Sequence, residues 1–252
     1  MKAEPIVLAA EVRHIALRAT GSTNAEALDR ARAGERGPLW ITAAEQTAGR
    51  GRSGRRWLSP PGNLYATLLL SEPSAPAQAP QLAFVAALAL HDAVGRCAPA
   101  LGSGWTLKWP NDLLLAGGKL AGILIESDNV PGFHVAIGIG VNCITHPEDA
   151  SYPATDLSAA GASVAPEALF AALADAMRHR LAQWARGEGF AAIRADWLAR
   201  AAGLGHEISV RLSDREFSGR FDGLDELGRL LLTQAGSRTV VTAGDVFGLG
   251  GL

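Results

Sequence analysis

The segment KWPNDLLLAGGKLAGILIE, residues 108–126, indicates how the larger part of the chain folds. It begins with Trp-Pro followed by Asn-Asp, which is a turn signal. Residues 113–115 are apolar, a glycine pair follows at 117–118, and residues 120–126 form a second, mostly apolar run. Two short runs of this kind around a glycine pair predict a tight antiparallel hairpin. The sequence therefore favours an α+β fold over a doubly wound parallel sheet.

The flanking sequence predicts further strands and helices around this hairpin. Thr23 and Glu26 have the spacing of a capping box, so a helix is expected to begin at Thr23. The predicted strands are Arg13–Arg18, Leu39–Ala44, Asn63–Leu70 and Phe133–Val141, and the predicted helices are Thr23–Ala33, Gln81–Arg96, Glu167–Arg186 and Phe190–Arg200. We expect a catalytic domain over residues 1–202, with a mixed, largely antiparallel sheet flanked by helices.

The pattern changes after Gly203 to short strands separated by turn residues. The predicted strands are Glu207–Leu212, Glu216–Asp222, Leu230–Thr233 and Arg238–Thr242, with turns at Ser213-Asp214 and Leu227-Gly228. Several short strands with regular turn signals are typical of a small barrel or sandwich. Residues 203–252 are therefore predicted to form a small SH3-like β-barrel.

The composition excludes several classes of protein. Hydrophobic residues make up 48% and charged residues 19% of the 252 residues, as in globular proteins. The net charge of −2 provides no overall attraction to DNA or to an anionic membrane. No apolar run reaches the roughly 18 residues that a membrane span needs. Residues 1–5 are not typical of a signal peptide, so we expect a cytoplasmic location.

A glycine- and arginine-rich loop, GRGRSGRRW at residues 49–57, carries the first candidate chemistry. Glycines let the backbone approach a ligand closely, and arginines supply forked donors for phosphate or carboxylate groups. Arginine/glycine segments also bind RNA. The loop by itself leaves both interpretations open.

Two lysines of the segment at residues 108–126 carry the second candidate chemistry. The chain has 23 basic residues, and Lys108 and Lys119 are two of its three lysines. Lys108 and Asp112 could position a phosphate, a metal or an amine, or form a surface salt bridge at a turn. Lys119 could fix an anion in a dry pocket, where charge interactions are strong, or be an ordinary hairpin lysine. Neither lysine belongs to a Walker A motif, because Leu120 follows Lys119.

Taken in order, these segments resemble the biotin protein ligases. The resemblance rests on the loop at 49–57, Lys-Trp-Pro-Asn-Asp at 108–112, Gly-Lys-Leu-Ala-Gly-Ile-Leu at 118–124 and Gly-Ile-Gly-Val-Asn at 138–142, with Ser-Thr-Asn at 22–24 and Gln46 before them. It covers roughly residues 13–143 and implies a class II synthetase-like catalytic domain. It also implies an ATP-dependent, AMP-forming biotin–[acetyl-CoA-carboxylase] ligase, with biotin, ATP and Mg²⁺ as its small molecules.

The resemblance also implies roles for individual residues. Ser22, Thr23 and Gln46 would hold the ureido ring of biotin, Trp57 would contact the adenine end, and Asn142 the nucleotide. The catalytic residues would be Arg52, Lys119 and Asp112, with Asp112 near the acceptor lysine or the metal, whose ligands stay unassigned. The full predicted binding set is Ser22, Thr23, Asn24, Gln46, Gly49, Arg50, Gly51, Arg52, Trp57, Lys108, Asn111, Lys119, Gly122 and Asn142.

This chemistry needs no nucleophile from the enzyme. The biotin carboxylate attacks the α-phosphate of ATP, pyrophosphate leaves, and a lysine of a biotin carboxyl carrier protein then displaces AMP. The alternatives are a lipoate or octanoate ligase of the same fold and a non-enzymatic RNA-binding module.

About twenty residues precede Ser22, too few for an N-terminal helix-turn-helix domain, so we expect no sequence-specific DNA binding. The sequence leaves open whether the protein forms a homodimer, and no membrane partner is expected.

Overall fold

The computed structural model describes residues 12–129, 131–150, 152–212 and 215–248. Its larger sheet has seven strands in the order β1-β2-β3-β7-β6-β5-β4. These are β1 (Arg13–Leu17), β2 (Leu39–Ala43), β3 (Leu64–Ser71), β4 (Trp105–Lys108), β5 (Asp112–Leu115), β6 (Gly118–Asp128) and β7 (His134–Val141). β1 and β2 are parallel, and every other neighbouring pair is antiparallel. The predicted mixed, largely antiparallel sheet is confirmed, and the predicted hairpin is formed by β5 and β6, next to the edge strand β4.

Helices cover both faces of this sheet. Helix α1 (Thr23–Arg32) packs on one face, where its Ala27 and Ala31 meet Ile41 and Leu69. Helices α2 (Leu82–Cys97), α3 (Pro166–Trp184) and α4 (Phe190–Leu198) belong to the larger core on the other face. Successive side chains of a strand point to opposite faces, and β3 accordingly gives Leu69 to one core and Leu68 to the other.

The second sheet contains β8 (Glu207–Arg211), β9 (Glu216–Leu224), β10 (Leu230–Gln234), β11 (Ser237–Val241) and β12 (Asp245–Phe247). All its pairs are antiparallel, in the order β11-β10-β9-β8-β12, which agrees with the predicted small barrel. The Leu227-Gly228 turn lies between β9 and β10 as predicted, and Ser213-Asp214 lies outside the described residues. The Trp109 indole N–H donates to the Gly228 carbonyl at 3.1 Å, which ties this sheet to the β4–β5 turn.

The structure corrects the start of α1. Ser22, and not Thr23, is the N-cap residue, and its Oγ accepts from the Ala25 N–H at 3.4 Å. Thr23 is already inside the helix, where its hydroxyl lies 3.1 Å from Gln46 Oε1. Glu26, the predicted partner in the capping box, pairs with Arg30 at 2.8 Å instead. The prediction was wrong by one residue because a tertiary hydrogen bond takes the Thr23 side chain.

Two strands were not predicted. β4 has 4 residues and β12 has 3, too short for a period-2 pattern to stand out. Their neighbours define them, since Leu107 pairs with Leu113 and Val246 pairs with Val210. Among the residues that the structure describes, no helix is both long and apolar enough to cross a bilayer.

Candidate active site

A cavity lies between the larger sheet, the start of α1, the arginine/glycine loop and strand β12. The empty space in it, including the open mouth, is about 890 Å³. Most of the predicted site residues line it: Ser22, Thr23, Asn24, Gln46, Arg50, Gly51, Arg52, Trp57, Lys108, Asn111, Asp112, Lys119 and Gly122. The fold therefore brings residues from five sequence segments to one place.

One end of the cavity is formed by neutral hydrogen-bonding side chains, and we call Ser22, Thr23, Asn24 and Gln46 the amide end. The Arg50–Glu126 ion pair borders it, since the Asn24 amide donates to Glu126 Oε2 at 2.9 Å. The Thr23 N–H and hydroxyl both lie close to Gln46 Oε1, at 2.9 and 3.1 Å. The Gln46 amide N–H donates to Ser59 Oγ at 2.9 Å, and Ser59 donates to the Trp57 carbonyl. This chain of hydrogen bonds joins the first turn of α1 to the arginine/glycine loop.

The other end is charged, and we call Arg52, Lys108, Asp112 and Lys119 the basic end. Lys119 lies five residues before Leu124 on β6, whose carbonyl accepts from Asn24. The Lys119 ammonium folds back over Gly122, where a Cβ would lie 3.5 Å from its Nζ. Gly122 is two residues before Leu124, so the two ends adjoin along the strand, roughly 7 Å apart at about 3.3 Å per residue.

Asp112 lies at the centre of the basic end. Its carboxylate is 2.8 Å from Lys119 Nζ and 3.1 Å from Lys108 Nζ, and only 9% of its side chain is exposed. β4 and β5 pair Lys108 with Asp112 directly, so sheet register creates this contact. Burial alone would raise the pKa of Asp112, and the two ammonium groups outweigh it and hold the pKa below its ordinary value.

Two aromatic rings flank the Lys119 ammonium. Its Nζ lies 5.4 Å from the centre of the Trp57 ring and 5.2 Å from that of Tyr152. Both distances are within the range of cation–π attraction. The Trp57 indole in turn rests on the sheet at Gly140, where a Cβ would lie 2.6 Å from its Nε1. The Gly-x-Gly of β7 is therefore a close packing point.

The arginine/glycine loop folds as a small hairpin that strand β12 holds in place. The Gly51 N–H donates to the Arg55 carbonyl at 2.7 Å. Arg52 donates to the Gly244 carbonyl at 3.1 Å and to Asn111 at 3.3 Å, and Arg55 pairs with Asp245 at 2.9 Å. Burial lowers the pKa of Arg52, and the Asp245 and Asp112 charges oppose that shift. The two sheets together thus position the guanidinium groups.

Two residues of the predicted binding set lie outside the cavity wall. Gly49 is at the base of the loop, where a Cβ would lie 2.5 Å from the Trp57 carbonyl, so its role is to let the loop close. Asn142 is buried, and its amide donates to the Thr155 carbonyl at 3.0 Å and to the Lys119 carbonyl at 3.4 Å. Asn142 therefore supports the backbone at Lys119. Its predicted contact with the nucleotide stays a prediction.

Known proteins resemble this chain over most of its length. Residues 18–142 match the Biotin/lipoate A/B protein ligase family, and residues 203–248 match the Biotin protein ligase C terminal domain. A biotin–[acetyl-CoA-carboxylase] ligase of Paracoccus denitrificans is 46% identical over 237 residues, which covers 90% of this chain and 97% of the relative. The chain belongs to the biotin protein ligase family.

Other members agree with this assignment. A biotin–[acetyl-CoA-carboxylase] ligase of Mycobacterium tuberculosis is 36% identical and is covered over 85% of its length, against 90% of this chain. The structure of the Aquifex aeolicus biotin protein ligase in complex with biotin and ATP superposes with a TM-score of 0.79 at 25% identity, covering 93% of this chain and 97% of that one. Family membership favours the ligand-binding interpretation of the arginine/glycine loop over the RNA-binding one.

Several residues that line the cavity of this ligase were missed by sequence reasoning. Tyr152 lies in the loop after β7, while Asp245 and Phe247 belong to β12. None of the three stands in a motif, and Asp245 is distant in sequence from the arginines that it binds. Tyr152 reaches the site because its loop pairs with β6 at Lys119 and Ala154. Asp245 and Phe247 are brought there only by the packing of the second sheet against the first.

The carboxylates of this ligase do not suit a metal held by the protein. Asp112 and Asp245 line the cavity, and each is paired with basic side chains. Over the described ranges, no group of three or more His, Cys, Asp or Glu side chains could hold an ion. Mg²⁺ prefers several water and phosphate oxygens with one or two free carboxylates. The residues at this site therefore do not fit a resident Mg²⁺.

Proposed function

We propose that the cavity is the site at which this ATP-dependent biotin protein ligase activates biotin and passes it to a carrier lysine. The observation that carries the proposal is the placement of a hydrogen-bonding end formed by neutral side chains and a basic end in one cavity. Biotin has the matching polarity, a neutral urea at one end and a carboxylate at the other. Relatives of this chain are named biotin–[acetyl-CoA-carboxylase] ligases, and solved neighbours contain biotin with ATP or biotinyl-5-AMP.

At the amide end, side-chain hydroxyls would bind the urea. Ser22 Oγ accepts from the Ala25 N–H and keeps its own hydrogen, which can be donated to the urea carbonyl. Thr23 and the backbone near Arg50 and Gly51 would face the urea N–H groups. Because these groups are already ordered by hydrogen bonds, little conformational entropy is lost when the ligand binds.

At the basic end, positive charge would stabilise the reaction. Lys119 and Arg52 would contact the carboxylate and the α-phosphate, where negative charge develops as pyrophosphate leaves. Trp57 and Lys108 would border the nucleotide. Asp112 holds both lysines at 2.8 and 3.1 Å, and we assign it the role of fixing their positions near the acceptor amine.

Further proposals concern the domains, the metal, the acceptor and the location of the protein. We place the domain boundary at residues 202–203, and we expect Mg²⁺ to arrive bound to the ATP phosphates. The acceptor is proposed to be a biotin carboxyl carrier domain. A cytoplasmic location, the homodimer and the lack of sequence-specific DNA binding stay predictions.

Exchange of labelled pyrophosphate into ATP tests the proposal without any carrier protein. We expect exchange to depend on biotin, and an acceptor domain to gain one biotinyl group on one lysine, measured by mass spectrometry. Lipoate and octanoate serve as matched alternatives, because the matching family includes lipoate ligases. Exchange supported by either of these acids and not by biotin would overturn the assignment.

A further inference from the structure

Thr67 lies on β3 beneath the amide end, outside the set of residues that line the cavity. Its exposed fraction is 0%. The Thr67 Oγ1 lies 2.7 Å from Asn24 Oδ1 and 2.8 Å from Thr23 Oγ1. A hydroxyl has one hydrogen to donate, so the nature of these two partners decides how the hydrogens are arranged.

The orientation of the Asn24 amide is fixed by its other neighbours. Its Nδ2 faces the Leu124 carbonyl at 3.2 Å and Glu126 Oε2 at 2.9 Å, and both are acceptors. The nitrogen must therefore point toward them, which leaves the amide oxygen facing Thr67. Since that oxygen can only accept, the Thr67 hydrogen is committed to Asn24.

The arrangement at Thr23 follows from this commitment. Because its own hydrogen is used, the Thr67 hydroxyl can only accept a hydrogen bond from the Thr23 hydroxyl. The other neighbour of the Thr23 hydroxyl is the Gln46 amide oxygen, which faces the Thr23 N–H at 2.9 Å and can also only accept. The single hydroxyl hydrogen of Thr23 is thus used inside the protein, toward Thr67 or toward Gln46 at 3.1 Å. Thr23 presents only lone pairs to the cavity.

We propose that Thr67 is a positioning and specificity-determining residue that fixes Thr23 as a hydrogen-bond acceptor. The part of the ligand that faces Thr23 must then be an N–H group, and a ligand with an acceptor there is rejected. The inference rests on the proposed function and deepens it, since the N–H group would belong to the urea of biotin. Without the Thr67 hydroxyl, Thr23 keeps only the longer contact to Gln46, which a ligand acceptor can replace.

The test compares biotin with its two cyclic carbamates, in which oxygen replaces one or the other urea N–H. Pyrophosphate exchange is measured for wild type, Thr67→Val, which keeps the shape but loses the hydroxyl, and Thr67→Ser, which keeps the hydroxyl. Thr239→Val, on β11 of the other sheet, is the matched control. Thermal unfolding of each variant reports on folding.

We expect wild type to prefer biotin over one carbamate by about tenfold or more in kcat/KM, because a buried acceptor is left facing another acceptor. Thr67→Val should raise KM for biotin by about fivefold, the worth of roughly one hydrogen bond, and should reduce the preference by a similar factor. Its kcat should stay close to that of wild type. Thr67→Ser and Thr239→Val should resemble wild type.

The ratio of kcat/KM for biotin to that for the carbamate distinguishes a positioning role of Thr67 from a purely structural one. If Thr67→Val lowers the unfolding temperature or the overall rate and leaves the preference unchanged, the inference is wrong. It is equally wrong if Thr67→Ser loses the preference as Thr67→Val does. These outcomes leave biotin-dependent exchange by wild type intact. Failure of the proposed function itself would appear as absence of that exchange in wild type.

Discussion

The amide end and the basic end of the cavity are built on different physical principles. At the amide end, neutral groups are joined by hydrogen bonds of 2.7 to 3.1 Å between Thr23, Asn24, Gln46 and Thr67. At the basic end, cations are held by Asp112 and Asp245 through ion pairs. A hydrogen bond determines which of two atoms donates and which accepts. An ion pair holds a charge in place, and that charge can exchange one oppositely charged partner for another. The first end is suited to recognition and the second to stabilising a changing charge.

The largest expected effect is at Lys119, because its surroundings suit an ammonium group. Lys119→Arg should lower biotin adenylation at least about tenfold, or about 1.4 kcal/mol of transition-state stabilisation. The site between Trp57, Tyr152 and Asp112 has little room for a wider, planar guanidinium. The measurement is biotin-dependent pyrophosphate exchange.

Lys108→Arg is the matched control, since Lys108 binds the same carboxylate at 3.1 Å from the neighbouring strand. It should cost less, because no ring contact is made by Lys108 among the cation–π pairs of the described residues. A near-normal rate for Lys119→Arg would place Lys119 outside the chemistry and remove the contrast between the two ends.

The next effect concerns how long the adenylate is retained. Arg52→Gly should still form biotinyl-adenylate and release it several-fold faster, because the loop loses its contacts to Asn111 and Gly244. The amide end stays intact in this variant. Incubation with biotin, ATP and an unrelated lysine-rich protein, followed by an avidin blot, should show labelled bystander protein. Retention equal to wild type would contradict a role of Arg52 in holding the loop over the adenylate, and complete loss of adenylation would place Arg52 in the chemical step.

A smaller effect is expected on the KM for ATP when the salt concentration is raised. The screening length falls from about 10 Å at 0.1 M to about 3 Å at 1 M salt. KM for ATP should therefore rise about threefold over that range, because salt screens the exposed Arg55 and Arg56 side chains, which line the cavity beside the basic end. Binding of biotinol, the neutral alcohol analogue of biotin, should change little when measured by calorimetry. Equal sensitivity of both ligands would show that the two ends do not differ as described.

The smallest effect is on stability in acid. The pKa of Asp112 lies below its ordinary value of 3.8 in the folded protein, so its ion pairs stabilise the fold fully above that pH. This contribution is lost as the pH falls through the folded-state pKa. Urea unfolding from about pH 6 to about pH 3 should therefore show a steeper loss of stability for wild type than for Asp112→Asn. Parallel curves would mean that Asp112 titrates alike in the folded and unfolded states.

Sequence patterns named many of the residues that line the cavity, because the motifs that contain them are local. Lys108 and Asp112 face each other across a turn that Trp-Pro-Asn signals, and Lys119 follows a glycine pair that closes a hairpin. The spacing of these residues therefore implies their proximity. The cap of α1 was misplaced because Ser22 and Thr23 are both good N-cap residues, and only Gln46, distant in sequence, decides between them.

The sequence by itself determined the α+β class, the change to short strands after Gly203, and the motif residues that line the cavity. Each of these depends on neighbours within a few residues, whose periodicity and turn chemistry act locally. Tertiary structure decided that Asp245 of β12 holds the arginines of the loop, and that Thr67 orients the Thr23 hydroxyl. These contacts join groups distant along the chain, and their hydrogen-bond geometry exists only after both sheets have packed.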